Sequence, residues 1–205
     1  MLKKLISTLL ISSAVVLTGA AHAQSPATPT LNAPSAAAPI VPSAPDLAAT
    51  SYLLIDANSG AVLVENNADN PLPPASLTKM MTSYIVSQEI KRGQIGENDQ
   101  VLVSEKAWRM GGSKMFIRVG NQVPVIDLLR GVIIQSGNDA SIALAEHVAG
   151  SEDAFADLMN AQAQRLGMTN SHFVNATGWP AEDHYASARD LATLAQAIIR
   201  DDPKS

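Results

Sequence analysis

The apolar residues of this chain recur at regular intervals from Ser51 to Ile199, and after Val103 nearly all of them have helical spacing. A stretch of about 150 residues has the usual length of a single domain. The sequence contains no cysteine, so no disulfide framework can hold this domain together. The domain must therefore depend on an apolar core in which the helices pack against a sheet.

Few strands are available for those helices to cover. Two β-rich runs, 51–57 and 61–65, flank an Asn-Ser-Gly segment that is typical of a hairpin turn, and a third short run covers 101–103. A lone two-stranded hairpin is only marginally stable, and layers of helices need more sheet than this. We therefore expect the C-terminal strands of the fold to be missing from these 205 residues.

Capping and stop residues set the predicted helix boundaries. Ser151 precedes a helix that stops at Gly167, and Ser187, with Asp190 three positions on, opens the last helix. The predicted helices run from near 76 to 93, from about 125 to 135, from a break at 136–138 to 148, from 151 to 166 and from 187 to about 200.

The first residues have the pattern of a secretory signal peptide. Lys3 and Lys4 precede the apolar run 5–17, and small residues follow with a cleavage-type Ala-His-Ala that ends at Ala23. The apolar run is shorter than the roughly 20 residues that a membrane-spanning helix needs. We predict that residues 1–23 are a signal peptide and that the remaining chain is exported.

The next segment, 24–48, consists mostly of Ala, Pro, Ser and Thr and is predicted to be a flexible linker before a domain at 49–205. Removal of the signal peptide takes two of the 14 basic residues and leaves 12 against 19 acidic ones. This acidic balance argues against nucleic-acid binding. Without cysteine or a His-x-x-x-His pair, the chain has little that could hold zinc.

Ser76 and Lys79 are three positions apart at a predicted helix start, which places both side chains on one face within one turn. The pattern fits a nucleophile beside its base. Lysine is an unfavourable neighbour for a capping serine, because the helix start is positive, and this position together with burial would favour the neutral amine. The alternative is that Ser76 caps the helix while Lys79 points to solvent.

A polar tripeptide, Ser136 to Asn138, separates two apolar helical runs. Its serine could relay a proton, and its amide could hold a peptide backbone. The alternative is a plain helix break in which Asn138 caps the following helix.

The glycine-rich segment 109–114 fits either a loop bordering a cleft or an ordinary surface loop. The remaining histidines, 147, 172 and 184, do not have the spacing of a catalytic triad or a metal site, and we predict that they have structural or surface roles. Trp179 is predicted to be a packing residue.

The two motifs, Ser-x-x-Lys and Ser-x-Asn, resemble those of the penicillin-recognising serine enzymes. The stretches 74–84, 131–140, 166–170 and 187–190 also resemble the low-molecular-weight D-alanyl-D-alanine carboxypeptidases of peptidase family S11. This resemblance extends from about Asp46 to the last residue. It implies an α+β fold of the β-lactamase and DD-peptidase type, in which an antiparallel sheet carries a helical subdomain.

The resemblance also implies a reaction and residue roles. Ser76 matches the nucleophile that forms the acyl-enzyme, Lys79 its proton acceptor and Ser136 the second-motif serine, while Asn138 matches the substrate-binding amide. The implied activity removes the terminal D-alanine from peptidoglycan pentapeptide stems and serves cell-wall synthesis and cell shape. β-Lactams are the implied covalent inhibitors, and the implied reaction needs no metal or organic cofactor. The implied location is the periplasm, on the face of the inner membrane if a C-terminal anchor follows.

One departure from the family pattern leaves alternatives open. No Lys-Thr-Gly or Lys-Ser-Gly follows Asn138, so we expect these residues alone to be inactive. A serine β-lactamase would share the fold and first motif but needs a placed base for deacylation, for which no motif is present, and Ser-Gly-Asn rather than Ser-Asp-Asn favours the peptidase. A catalytically silent cell-wall binding module would tolerate the missing motif.

Overall fold

The computed structural model describes residues 44–201. The predicted signal peptide, most of the predicted linker and the final Lys204-Ser205 lie outside the described residues. In chain order the elements are β1 (Tyr52–Ile55), β2 (Val62–Asn66), a 3₁₀ turn (Ala75–Thr78), α1 (Lys79–Lys91), β3 (Gln100–Leu102), α2 (Glu105–Arg109), β4 (Gln122–Pro124), α3 (Val125–Gln135), α4 (Asn138–Ala149), α5 (Glu152–Leu166) and α6 (Ala188–Asp201).

The strands form two small antiparallel sheets. Strands β1 and β2 make the predicted hairpin, with an irregularity in register between Leu54 and Ile55. Strand β3 pairs with β4, so that Val101 faces Val123. The sequence analysis missed β4, because three residues that include a proline give no alternating pattern, and it missed α2, which has only five residues.

The predicted helix boundaries agree closely with the structure because the capping residues act as expected. Ser151 Oγ accepts a hydrogen bond from Ala154 N, and Gly167 ends α5 in the left-handed conformation. Ser187 Oγ accepts from Asp190 N at 3.1 Å. The Asp190 carboxylate accepts from Asn170 N and Ser171 Oγ, and so joins α6 to the loop after α5.

Helix α1 lies between two apolar clusters. One cluster contains Val86 with residues of β3, α3 and α4, and the other contains Met81 with residues of α5 and α6. Fully buried side chains occur in both, including Leu128, Ile142, Phe155, Met159 and Leu194. The start of α1 is thereby held by packing on opposite sides.

Within residues 44–201, no helix has the length and apolar character that crossing a membrane requires. The same residues contain no group of three or more His, Asp or Glu side chains that could hold a metal ion.

Candidate active site

The predicted pair is in contact at the start of α1. Lys79 Nζ lies 3.3 Å from Ser76 Oγ. Ser76 is exposed in the 3₁₀ turn, whereas Lys79 is only 5% exposed. Neither the turn nor α1 has a side-chain cap. The alternative of a capping serine and a solvated lysine is therefore wrong.

Burial lowers the pKa of Lys79 from 10.5 to about 8. Removal from water disfavours the ammonium form, which is one of the two causes expected from the sequence. With this pKa, roughly a tenth of the amine is neutral at pH 7. The neutral amine has a lone pair that can accept the proton of Ser76.

A carbonyl of a distant loop fixes the lysine. Lys79 Nζ donates to Thr177 O at 2.6 Å. We call residues 174–184 the support loop, because their backbone packs directly against the 3₁₀ turn. A Cβ on Gly178 would stand 1.8 Å from Ala75 O, so only glycine permits this approach. Thr82 Oγ1 of α1 also donates to Ala176 O at 2.8 Å.

Side chains hold the support loop in shape. Asn175 Oδ1 accepts hydrogen bonds from Thr177 N and Gly178 N. The carboxylate of Glu152, at the start of α5, accepts from Ala176 N at 3.0 Å and pairs with Lys106 of α2. The loop therefore presents the Thr177 carbonyl from a fixed position.

Helix α3 ends at Ser136, which has the left-handed conformation with φ 53° and ψ 38°. Glycine is favoured at such a position, and serine there carries a backbone cost. Gly137 is extended, and its N–H donates to Gly131 O. The bend turns the chain so that Ser136 faces the region of Ser76 and Lys79.

The side chains of Ser76, Lys79 and Ser136 border one pocket of about 220 Å³ between α1 and α3. Its other walls are mostly apolar. The lining residues are Ser76, Leu77, Lys79, Met80, Ser83, Val132, Ile133 and Ser136. The predicted juxtaposition is present, and the catalytic roles of the three residues stay predictions.

Asn138 does not border this pocket. It is 7% exposed, and its Nδ2 donates to Gly111 O at 2.8 Å, while its backbone N donates to Ser113 O. The alternative that Asn138 caps α4 is wrong, because α4 has no side-chain cap. The amide instead fastens the glycine-rich segment 109–114 to α4. Its predicted substrate contact is not tested by this geometry.

Asp139 completes that attachment. Its side chain is fully buried and accepts hydrogen bonds from Met115 N, Ile117 N and Ala140 N at 2.9 to 3.2 Å. The intervening Phe116 has φ +62°, which lets two amides converge on one carboxylate. The sequence analysis assigned no role to Asp139, and no spacing rule would have identified it.

The family model for D-alanyl-D-alanine carboxypeptidase, peptidase S11, matches residues 38–205. The chain belongs to this family. It is 49% identical over 170 residues to the D-alanyl-D-alanine carboxypeptidase DacA of Escherichia coli K12, an alignment that covers 80% of this chain and 42% of the relative. The resemblance stated from the motifs is confirmed. The match begins inside the segment predicted to be a linker.

Solved structures agree with this family assignment. The D-alanyl-D-alanine carboxypeptidase DacD of Francisella tularensis superposes with a TM-score of 0.78 at 44% identity, over 80% of this chain and 40% of that one. Penicillin binding protein 5 of Haemophilus influenzae gives 0.77 at 45% identity, over 80% and 48%. The predicted DD-peptidase fold is confirmed. The chain spans about two fifths to one half of the relatives it matches.

Proposed function

We propose that the protein is a serine-type D-alanyl-D-alanine carboxypeptidase that trims peptidoglycan pentapeptide stems through an acyl-enzyme on Ser76. The observation that carries the proposal is the contact of Ser76 Oγ with a buried lysine whose pKa is lowered to about 8. Family membership supports the choice of substrate. We further propose export to the periplasm and attachment to the inner membrane, on the strength of the signal-peptide pattern and the family resemblance.

The proposed reaction has two steps. The neutral amine of Lys79 accepts the Ser76 proton as Oγ attacks the carbonyl carbon between the two terminal D-alanines. A carbon–oxygen bond forms, the carbon–nitrogen bond breaks, and a proton returns to the leaving amine through Ser136. Free D-alanine departs. Water then attacks the ester, and the shortened stem leaves as Ser76 recovers its proton.

In this proposed reaction, the backbone carbonyl of Thr177 positions the Lys79 amine. A carbonyl oxygen can only accept, so it binds one N–H of Lys79 and leaves the lone pair of the neutral amine for another partner. Among the residues that the structure describes, Lys79 is the only ionisable side chain that borders the pocket.

β-Lactams are the proposed covalent inhibitors, because they present a strained amide that the same serine can open. The test is labelling of the full-length protein with a fluorescent penicillin, combined with D-alanine release from a pentapeptide that ends in D-Ala-D-Ala. We expect Ser76→Ala to abolish both signals. Ser59→Ala, in the hairpin turn, is the control and should change neither.

Two outcomes would reject the proposal in different ways. Rapid turnover of a chromogenic cephalosporin with little stable label would identify a β-lactamase. Stem-peptide binding without label or D-alanine release would identify a silent cell-wall binding module.

A further inference from the structure

His184 is a buried residue at the end of the support loop with two defined hydrogen bonds. It is 5% exposed. Val174 N lies 3.0 Å from Nδ1, and Thr78 Oγ1 lies 2.8 Å from Nε2. A backbone amide can only donate, so Nδ1 is the acceptor and carries no proton. The neutral ring is therefore protonated at Nε2, which donates to Thr78.

The partner of that proton is the residue just before Lys79. Thr78 is fully buried and is the last residue of the 3₁₀ turn that holds Ser76. Its Oγ1 is also one of the atoms that a Cβ on Gly178 would meet, at 2.9 Å. Thr78 thus lies between His184 and the tip of the support loop, on the inner side of the turn.

The orientation of the imidazole is fixed by its neighbours. Phe173 packs edge to face against the ring, with centroids 5.8 Å apart and an interplanar angle of 77°. His172 pairs with Tyr185 through backbone hydrogen bonds in both directions, which anchors the chain next to His184. The ring therefore connects the turn and the loop through a rigid path.

We propose that His184 is a positioning residue for the Ser76–Lys79 pair, which it serves by holding Thr78 and the 3₁₀ turn against the support loop. The inference rests on the proposed function of that pair. The hold keeps Thr177 O and Ser76 Oγ on the same lysine amine, at 2.6 and 3.3 Å. A turn that moves away from the loop separates these two contacts.

The hold depends on the charge state of the ring. Protonation of Nδ1 would set an N–H against the Val174 N–H, so the hydrogen bond is lost. Burial, and secondly the charge on His172, lower the pKa of His184 below its ordinary 6.5. The neutral form therefore prevails above pH 6.5. As the pH falls through the lowered pKa of His184, the Val174 bond that anchors the ring in the support loop is lost, while the Thr78 bond remains, so the hold is weakened.

The charged groups around the ring come from several elements. His172 influences the ring through its charge, and Asp183 precedes His184 in the chain. Lys79 follows Thr78, and Glu152 at the start of α5 accepts from Ala176 N of the support loop. In the described structure, none of these four side chains forms a hydrogen bond with the imidazole. His172 Nδ1 donates to Asp183 O, and Glu152 pairs with Lys106.

Two substitutions separate the two hydrogen bonds. In His184→Asn, the amide oxygen can take the place of Nδ1 and keep the Val174 bond, but the side chain is too short to reach Thr78. In His184→Gln, the amide nitrogen can reach the place of Nε2 and keep the Thr78 bond. We expect acylation of the full-length protein by a fluorescent penicillin to slow about tenfold in the Asn variant and less than about threefold in the Gln variant.

The pH profile gives a readout that a purely structural residue would not move. In the wild type, the logarithm of the acylation rate should fall below pH 8 as Lys79 is protonated. It should fall more steeply, by a further factor of less than about three, as the pH drops through the lowered pKa of His184. The Gln variant should lack the steeper part. His172→Gln should keep the steeper part, because both His184 bonds remain, but should move it to higher pH, because the charge on His172 that lowers the pKa of His184 is gone.

Nitrogen-15 NMR of the imidazole tests the geometry without any activity. We expect a neutral ring with the proton on Nε2 and a titration midpoint below 6.5. A proton on Nδ1, or equal acylation by wild type and both His184 variants, would overturn the inference alone. Absence of label in the wild type would overturn the proposed function, and this inference with it.

Discussion

The β1–β2 hairpin and helix α1 differ in how far their apolar side chains are buried. Leu54 and Leu63 of the hairpin are 55% and 60% exposed, whereas Met81 and Val86 of α1 are completely buried. The hairpin contacts the helices mainly through α6, where Arg189 pairs with Glu65 and Asp69. Helix α1 belongs to both apolar clusters.

The difference shows which region of this fold suits the proposed chemistry. A buried lysine with a lowered pKa needs surroundings that exclude water and cannot relax, and the interior of closely packed helices provides them. The exposed hairpin has no such surroundings. Changes at the start of α1 should therefore have large and specific effects, and changes on the hairpin small ones.

The largest expected effect is on catalysis at the start of α1. Lys79→Met keeps an unbranched side chain of similar size but removes the base, so penicillin acylation of the full-length protein should slow by about 10²- to 10⁴-fold. Lys91→Met, at the other end of the same helix, should acylate like the wild type. Equal rates in all three proteins would remove Lys79 from the mechanism.

The next effect concerns the contact between the support loop and the turn. Gly178→Ala places a methyl group 1.8 Å from Ala75 O at a φ of +80°, and should cost about 3–5 kcal/mol of unfolding free energy in urea. Gly167→Ala is a matched control, because its φ is +76° but no atom lies within 4 Å. That change should cost only about 1 kcal/mol. Similar losses at both sites would show that the close approach is relaxed in solution.

The buried amine predicts a pH effect on stability. The pKa of Lys79 is 10.5 when unfolded and about 8 when folded, so between these values the unfolded chain holds a proton that the folded chain has released. Stability therefore rises with pH across this window, by about 3 kcal/mol relative to Lys79→Met. If the unfolding free energies of the two proteins changed in parallel from pH 8 to 10.5, the lowered pKa of Lys79 would be contradicted.

Ser136 predicts a stability gain with a loss of function. Ser136→Gly relieves the left-handed conformation and should add about 0.5–1 kcal/mol, while acylation slows because the hydroxyl is gone. Ser136→Ala should lose the same activity without any gain in stability. Urea unfolding with penicillin labelling measures both. A stabilised and fully active glycine variant would exclude Ser136 from proton transfer.

The smallest effect is expected on the hairpin. Leu63→Ala should change the unfolding free energy by no more than about 0.5 kcal/mol, because the side chain is 60% exposed. Leu128 is fully buried in the apolar cluster that contains Val86, and Leu128→Ala should cost about 2–5 kcal/mol. A large loss at Leu63 would mean that the hairpin face is covered in the protein in solution, and the comparison would no longer hold.

Much of the helical architecture could be predicted because its signals are local. Ser151 and Ser187 cap helices through bonds that span three residues, and Gly150 and Gly167 end them by adopting positive φ. The contact of Ser76 with Lys79 is also local, since three positions within a helical turn bring two side chains together. Strand β4 and helix α2 were too short to produce a period.

The sequence by itself determined the five longer helices, the contact of Ser76 with Lys79 and the family, because each depends on residues a few positions apart or on whole motifs. Only the tertiary structure decided which carbonyl binds Lys79, that Asn138 fastens the glycine-rich segment, and that His184 reaches Thr78. The partners in these contacts are 98, 27 and 106 positions apart. Such pairs meet because the two clusters around α1 close, and no local propensity encodes which backbone atom then faces the lysine.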